Sequence, residues 1–200
     1  MPARTILSST LFPTLKTLKF QRTGQVLYQV DEDDNSIRLH FQKDSGPGAV
    51  YFVNIEYRPA VWMEFQRDQG RDTPDFTMGL VFGRITHGGG RDAWDLGDDE
   101  EGRAAAGYLL KRIRDDYLPF LETLKDLDLL IQFINAGQQI GPPSFALQTI
   151  RPHVAKTLLL SARGPSPELE KALSLFDENP TGHLSRWLIQ RLRAGGQPEQ

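Results

Sequence analysis

The chain has no cysteine, which excludes a disulfide, a thiolate metal site and a cysteine nucleophile. It has no apolar run near the ~20 residues that a membrane-spanning helix needs. Its first residues lack an unbroken apolar stretch of the secretory type, so no signal peptide is expected. An excess of positive charge is also missing. Lys and Arg number 23 against 26 Asp and Glu, which leaves a formal charge of −3. Chains that grip nucleic acid through their overall field are basic, so neither a nucleic-acid nor a membrane partner is expected. There is no Gly-Lys-Ser/Thr phosphate loop. The four His, at 40, 87, 153 and 183, are never spaced i, i+4, so a helical zinc pair is lacking. The expectation is a soluble, cytoplasmic protein with no metal and no cofactor.

What is present suits a folded chain. Hydrophobic residues make up 39% and charged residues 24% of 200, too apolar for disorder and enough for one core with an appendage. The two halves differ. Residues 1–100 hold six of the seven Val and twelve of the nineteen aromatics, whereas residues 101–200 hold eighteen of the twenty-six Leu. Val and aromatics suit a pleated surface, and Leu suits helices. Strands first and helices later predict an α+β fold. The expected architecture is an antiparallel sheet of about four to five strands, with an N-terminal helix and C-terminal helices packed on it.

Leu7, Leu11, Leu15 and Leu18 recur at helical spacing, and Pro13 among them should kink that helix or start a second piece. Residues 25–31 and 36–43 read as a hairpin around an acidic turn, with Ile37, Leu39 and Phe41 on one face and Arg38, His40 and Gln42 on the other. Residues 49–58 are apolar on both faces and predict a central strand. Residues 66–75 read as a polar turn region and residues 76–87 as a fourth strand, ended by Gly88-Gly89-Gly90. Helices are expected over 99–116, 117–136, 145–161 (divided at Pro152) and 167–177, the last capped by Ser166 and Pro167. A final amphipathic helix carries Leu184, Trp187, Leu188 and Leu192. Breaks are expected at Gly141-Pro142-Pro143 and Asn179-Pro180.

Residues 11–28, LFPTLKTLKFQRTGQVLY, together with LHFQKD at 39–44 and YFVNI at 51–55, resemble the bacterial family called domain of unknown function 4304. The residues carrying the resemblance are Phe20, Gly24, Tyr28, Gln42 and Lys43, then Arg84-Ile85, Asp92-Ala93-Trp94 and Leu118-Pro119-Phe120-Leu121. It covers residues ~5–135, so the chain divides into an α+β domain at 1–138 and a helical extension at 139–200. Lys19 departs from the pattern, standing where a Gly often precedes the Phe. The resemblance implies an α+β fold, with no established activity and no catalytic residues.

Several constellations invite chemistry. His87-Gly88-Gly89-Gly90 matches a string that builds an oxyanion hole in some esterases, but the Gly-x-Ser-x-Gly elbow that must accompany it is missing. Asp92, Asp95, Asp98, Asp99, Glu100 and Glu101 form an acidic run without the spacing of a calcium loop, and carboxylates also suit a helix N-terminus. The basic residues of 111–114 and 186–193 read as solvated helix faces. Tyr51, Tyr57, Trp62, Phe65 and Trp94 gather around the third strand and its loops. Aromatics are enriched at protein interfaces, which makes Trp62 and Phe65 candidates for one.

The leading expectation is a non-enzymatic binding or protein-interaction module with a protein partner, in one form an immunity-type protein that sequesters a toxin. The alternative is a hydrolase or other small-molecule enzyme using the loop at 84–96. There Arg84 would hold an anion, His87 would act as acid or base, and Asp92 would orient it, with Trp94 alongside. That alternative requires Arg84, His87 and Asp92 to converge on one pocket. A third reading has helices 145–194 dock another subunit.

Overall fold

The computed structural model describes residues 6–68, 79–87, 92–136, 146–149, 152–177 and 186–191. Expectations for Gly88-Gly89-Gly90, for 141–143, for 178–185 and for most of 66–75 lie outside the described residues, as does His183.

A π-helical turn, Leu7–Leu11, runs into α1, Phe12–Thr17, with Pro13 in the first turn of α1. A widened turn before a proline accommodates the missing N–H. Leu7, Leu11 and Leu15 are buried, as their spacing predicts. Lys19 follows with φ 66°, in the left-handed region that favours glycine.

Among the described residues seven strands form one sheet, all pairs antiparallel: β1 Gln21–Thr23, β2 Val26–Val30, β3 Ser36–Lys43, β4 Val50–Arg58, β5 Val81–Arg84, β6 Ala93–Asp95 and β7 Ala146–Thr149. The order is β1-β2-β3-β4-β5-β7, with β6 also on β4. The fold is α+β, with more strands than the four to five expected. β4 is central. One edge pairs with β3 over residues 51–58, and the other takes β6 at residues 50–52 and β5 at 54–57.

Register assigns the faces, because paired residues share one. Leu39 opposes Ile55 and Phe41 opposes Val53; with Ile37 and Tyr57 they build the dry face. Phe12 packs edge-on to Phe41 from α1 at 5.6 Å. On the other face Arg38 opposes Glu56, His40 opposes Asn54 and Gln42 opposes Phe52. The hairpin pattern puts Arg38 on the polar face with His40 and Gln42. Register agrees, but Arg38 is buried, because Glu56 neutralises it at 2.9 Å.

β4 leads through Pro59 into α2, Ala60–Asp68, a helix absent from the sequence expectations. After β6 come α3, Glu100–Arg112, a π turn at Ile113–Tyr117, and α4, Leu118–Thr123. The break expected at 116–117 is therefore a continuous helix that widens before Pro119. The true break lies at 124–126, where Asp126 caps α5, Leu127–Asn135. The predicted helix at 145–161 is also corrected: 146–149 is strand β7, and α6 runs Pro152–Arg163. A residue before proline is pushed toward extended backbone, so Pro152 starts the helix instead of dividing it. α7, Pro167–Asp177, is capped by Ser166 as expected. The segment after 138 is thus not purely helical, since β7 joins the sheet beside β5.

One hydrophobic cluster runs from Ile6 to Leu188. Ala155 and Leu158–Leu160 of α6 are buried in it, so this part of the segment after 138 contributes to the core. Lys125 clips the β2–β3 turn to α4, lying 3.0 Å from Asp31 and 2.7 Å from Glu122. Beside this clip, burial and the charges of Asp31 and Glu122 push the Tyr57 phenol well above its ordinary range. No helix of the described residues is long and apolar enough to cross a membrane.

Candidate functional site

The chain leaves β5 at Arg84 and rejoins the same edge of β4 as β6, running in the same direction. The Trp94 side chain shares the dry face with Tyr51 and is fully buried, and its indole N–H donates to the Ile85 carbonyl at 2.7 Å. The His87 ring lies flat on Trp94, with centroids 3.7 Å apart and planes at 25°. Tyr108 of α3 completes the stack, 6.0 Å from Trp94, and its hydroxyl donates to the His87 carbonyl at 3.3 Å.

α3 is brought close by its first turn. Asp99 accepts from the Gly102 N–H at 2.7 Å, the bond that caps the helix. A Cβ on Gly102 would overlap the Gly97 carbonyl, so only glycine lets the helix start this near the loop. Glu101, Ala105 and Tyr108 then lie on one side of α3 at i, i+4 and i+7.

Between β4, β6 and α3 lies an open cleft of about 580 Å³. Val50, Ala93 and Ala105 give it an apolar floor. Asp92, Asp95 and Glu101 supply carboxylates, and His87 an imidazole. Asp95 spends one oxygen on the Gly97 N–H at 3.1 Å. Among the described residues no three His, Asp or Glu converge closely enough to hold a metal ion.

Arg84 stands at the rim. Its guanidinium lies 4.4 Å over the Phe52 ring, its Nε donates to Asn54 at 3.4 Å, and its Nη1 is 3.7 Å from Asp92. Beneath it, the Tyr117 hydroxyl reaches the Arg84 carbonyl at 3.5 Å. Burial pushes that phenol above its ordinary value, although the Arg112 guanidinium pulls the other way.

The structure therefore brings together four of the six residues singled out from sequence. His87 and Asp92 line the cleft, Trp94 supports His87, and Arg84 meets Asp92 from the side. Trp62 and Phe65 are elsewhere. Both are buried on α2, 5.6 Å apart, with Phe65 against Trp187 at 5.3 Å. Trp62 and Phe65, the pair expected at an interface, are buried in this structure, as are Tyr51, Tyr57 and Trp94 of the same aromatic group. Sequence reasoning missed Tyr108 and Val50. The spacing Glu101, Ala105, Tyr108 was available as a signal for the first. The second needs the β4–β6 pairing.

No family model, no curated protein and no solved structure matches the chain.

Proposed function

We propose that the chain is a non-enzymatic binding module that captures a basic side chain of a protein partner in the acidic cleft. The observation that carries this reading is the lining: carboxylates Asp92, Asp95 and Glu101 above the floor of Val50, Ala93 and Ala105. Lys and Arg have this division, an apolar stem under a charged head. The carboxylates share one cavity yet do not chelate as a set of three, which suits an extended cation better than a point ion. The immunity-type form of the reading is the case in which the partner is a toxin.

Turnover is less well served. The described lining includes no Ser, Thr or Lys to act as nucleophile. Arg84 is turned toward Phe52, Asn54 and Asp92, so only His87 and Asp92 of the three share the cleft.

The test is calorimetric titration with an arginine-containing peptide and with its glutamate counterpart. The arginine peptide should bind, more weakly as salt rises. Asp95→Asn with Glu101→Gln should weaken binding by about tenfold or more, which corresponds to about 1.4 kcal/mol. Equal binding of both peptides, or indifference to the double substitution, rejects the reading. Ester turnover that His87→Ala abolishes would favour the hydrolase reading instead.

A further inference from the structure

The dry face of the sheet ends in a mixed row. Gln29, Ile37 and Tyr57 oppose one another across β2, β3 and β4. With Asp31 and Asn35 of the β2–β3 turn, and Glu122 and Lys125 at the end of α4, they line a recess of about 10 Å³. That is the room a single water molecule needs.

The hydrogen bonds around this recess leave a definite remainder. Asp31 is fully used. One of its oxygens accepts from the Asp33 and Asn35 backbone N–H groups at 3.0 and 2.8 Å, and the other from the Asn35 amide at 3.2 Å and Lys125 at 3.0 Å. The Asn35 oxygen accepts from the Ala60 N–H at 3.0 Å. An ammonium has three N–H groups. Asp31 and one Glu122 oxygen take two of those on Lys125, which leaves one N–H and the second Glu122 oxygen for a further partner.

Tyr57 is the decisive group. It is 1% exposed, and among the described residues nothing hydrogen-bonds its hydroxyl. The hydroxyl oxygen is not sealed by its neighbours either, so the little surface it keeps opens on the recess that Tyr57 lines. Native interiors satisfy such a hydroxyl with a protein group or an ordered water. Burial and the nearby carboxylates keep the phenol protonated, so it can donate.

We infer that this recess is a built site for one water. The water accepts from the Tyr57 hydroxyl and the third Lys125 N–H, and donates to the second Glu122 oxygen and the Gln29 amide oxygen. Both of its protons and both of its lone pairs are then used. A cation suits the place less well, because the Lys125 ammonium already occupies one wall. The water joins β4 to the clip between the turn and α4.

A crystal structure of the full-length chain grown from a rubidium salt, with data collected at the rubidium edge, reads the site directly. The expected result is one ordered oxygen within about 2.7–3.2 Å of the Tyr57 hydroxyl and Lys125 Nζ, without anomalous signal. An anomalous peak there makes it a cation site and overturns the inference, as does an empty recess in well-ordered density. Unfolding gives a second readout through its sign. With the water bound, Tyr57→Phe removes a hydrogen bond, and the urea midpoint should fall. Without it, the same change removes an unsatisfied hydroxyl, and the midpoint should hold or rise. In a Lys125→Met background, where the water has already lost a donor, the Tyr57→Phe shift should be smaller. A midpoint that does not fall, or an equal shift in the two backgrounds, overturns the inference.

Discussion

Arg38 and Arg84 lie on the same face of the sheet, one row apart, Arg38 opposite Glu56 and Arg84 opposite Asn54. Each meets a carboxylate. Arg38 is 2.9 Å from Glu56, and both side chains are nearly sealed, at 7% and 8% exposure. The second Glu56 oxygen takes the Gly79 N–H at 2.9 Å, where a Cβ would crowd against Glu56 itself. Arg84 is 3.7 Å from Asp92, and those side chains are 38% and 54% exposed. The charges are the same in kind, and what differs is the water around them. A pair at ~4 Å gains about 1 kcal/mol in bulk water and about 4 kcal/mol at an effective dielectric near 20. One row of this face is therefore a fixture, and the next is adjustable and borders the cleft.

The sharpest way to break this contrast is to remove Glu56. Glu56→Ala leaves the Arg38 guanidinium buried without its counter-charge and the Gly79 N–H without its acceptor. We expect a loss of about 3–5 kcal/mol in denaturant unfolding. The joint replacement Arg38→Met with Glu56→Leu should restore most of it, since two apolar side chains need no counter-charge. A cost for Glu56→Ala below about 1 kcal/mol would show that water reaches this row too.

An intermediate case lies at the clip between Asp31 and Lys125, whose side chains are 18% and 31% exposed. Burial pushes the Asp31 carboxyl up, but Lys125 and the Asn35 backbone and side chain outweigh it and hold it below its ordinary value. The folded form then binds its proton less readily than the unfolded chain. The stabilisation is full above the unfolded value of about 3.9 and is lost as pH falls through the lowered folded value. Lys125→Met should cost about 1 kcal/mol near neutrality, a figure kept small by the remaining exposure. The stability curves of the two proteins should converge in acid. Curves that stay parallel down to the acid limit would remove Asp31 from the account.

These differences in burial set how much of the fold is legible in the sequence. Ile37, Leu39 and Phe41 are legible because one face of β3 is dry, which forces period two. Arg38 in the same strand reads as solvent-facing, because its counter-charge comes from a strand eighteen residues on. α2 is legible as well, although a reading that treats its aromatics one by one passes over it: Val61, Trp62 and Phe65 stand at helical spacing just after Pro59. β7 is not legible, since four residues with one Leu fit either period and only β5 decides. At the site, Arg84, His87, Asp92 and Trp94 are neighbours in sequence and are read together for that reason. Val50 and Glu101 reach the cleft only through the pairing of β6 with β4 and the close start of α3, which no local pattern encodes.

The smallest expected effect belongs to Arg84. Its pair is half in water, so Arg84→Ala should change unfolding free energy by about 0–1 kcal/mol, even though the Phe52 ring then has no guanidinium over it. Its effect on the cleft should have the opposite sign to that of removing a ligand-binding carboxylate. Without the guanidinium, Asp92 is no longer partly neutralised, and the field felt by an incoming cation becomes more negative. A basic peptide should bind Arg84→Ala as well as the wild-type protein or a few-fold tighter, with the gain largest at low salt. Weaker binding in Arg84→Ala would mean that the rim arginine touches the ligand, and would move the recognised group from a cation toward an anion. A stability loss comparable to that of Glu56→Ala would erase the distinction between the two rows.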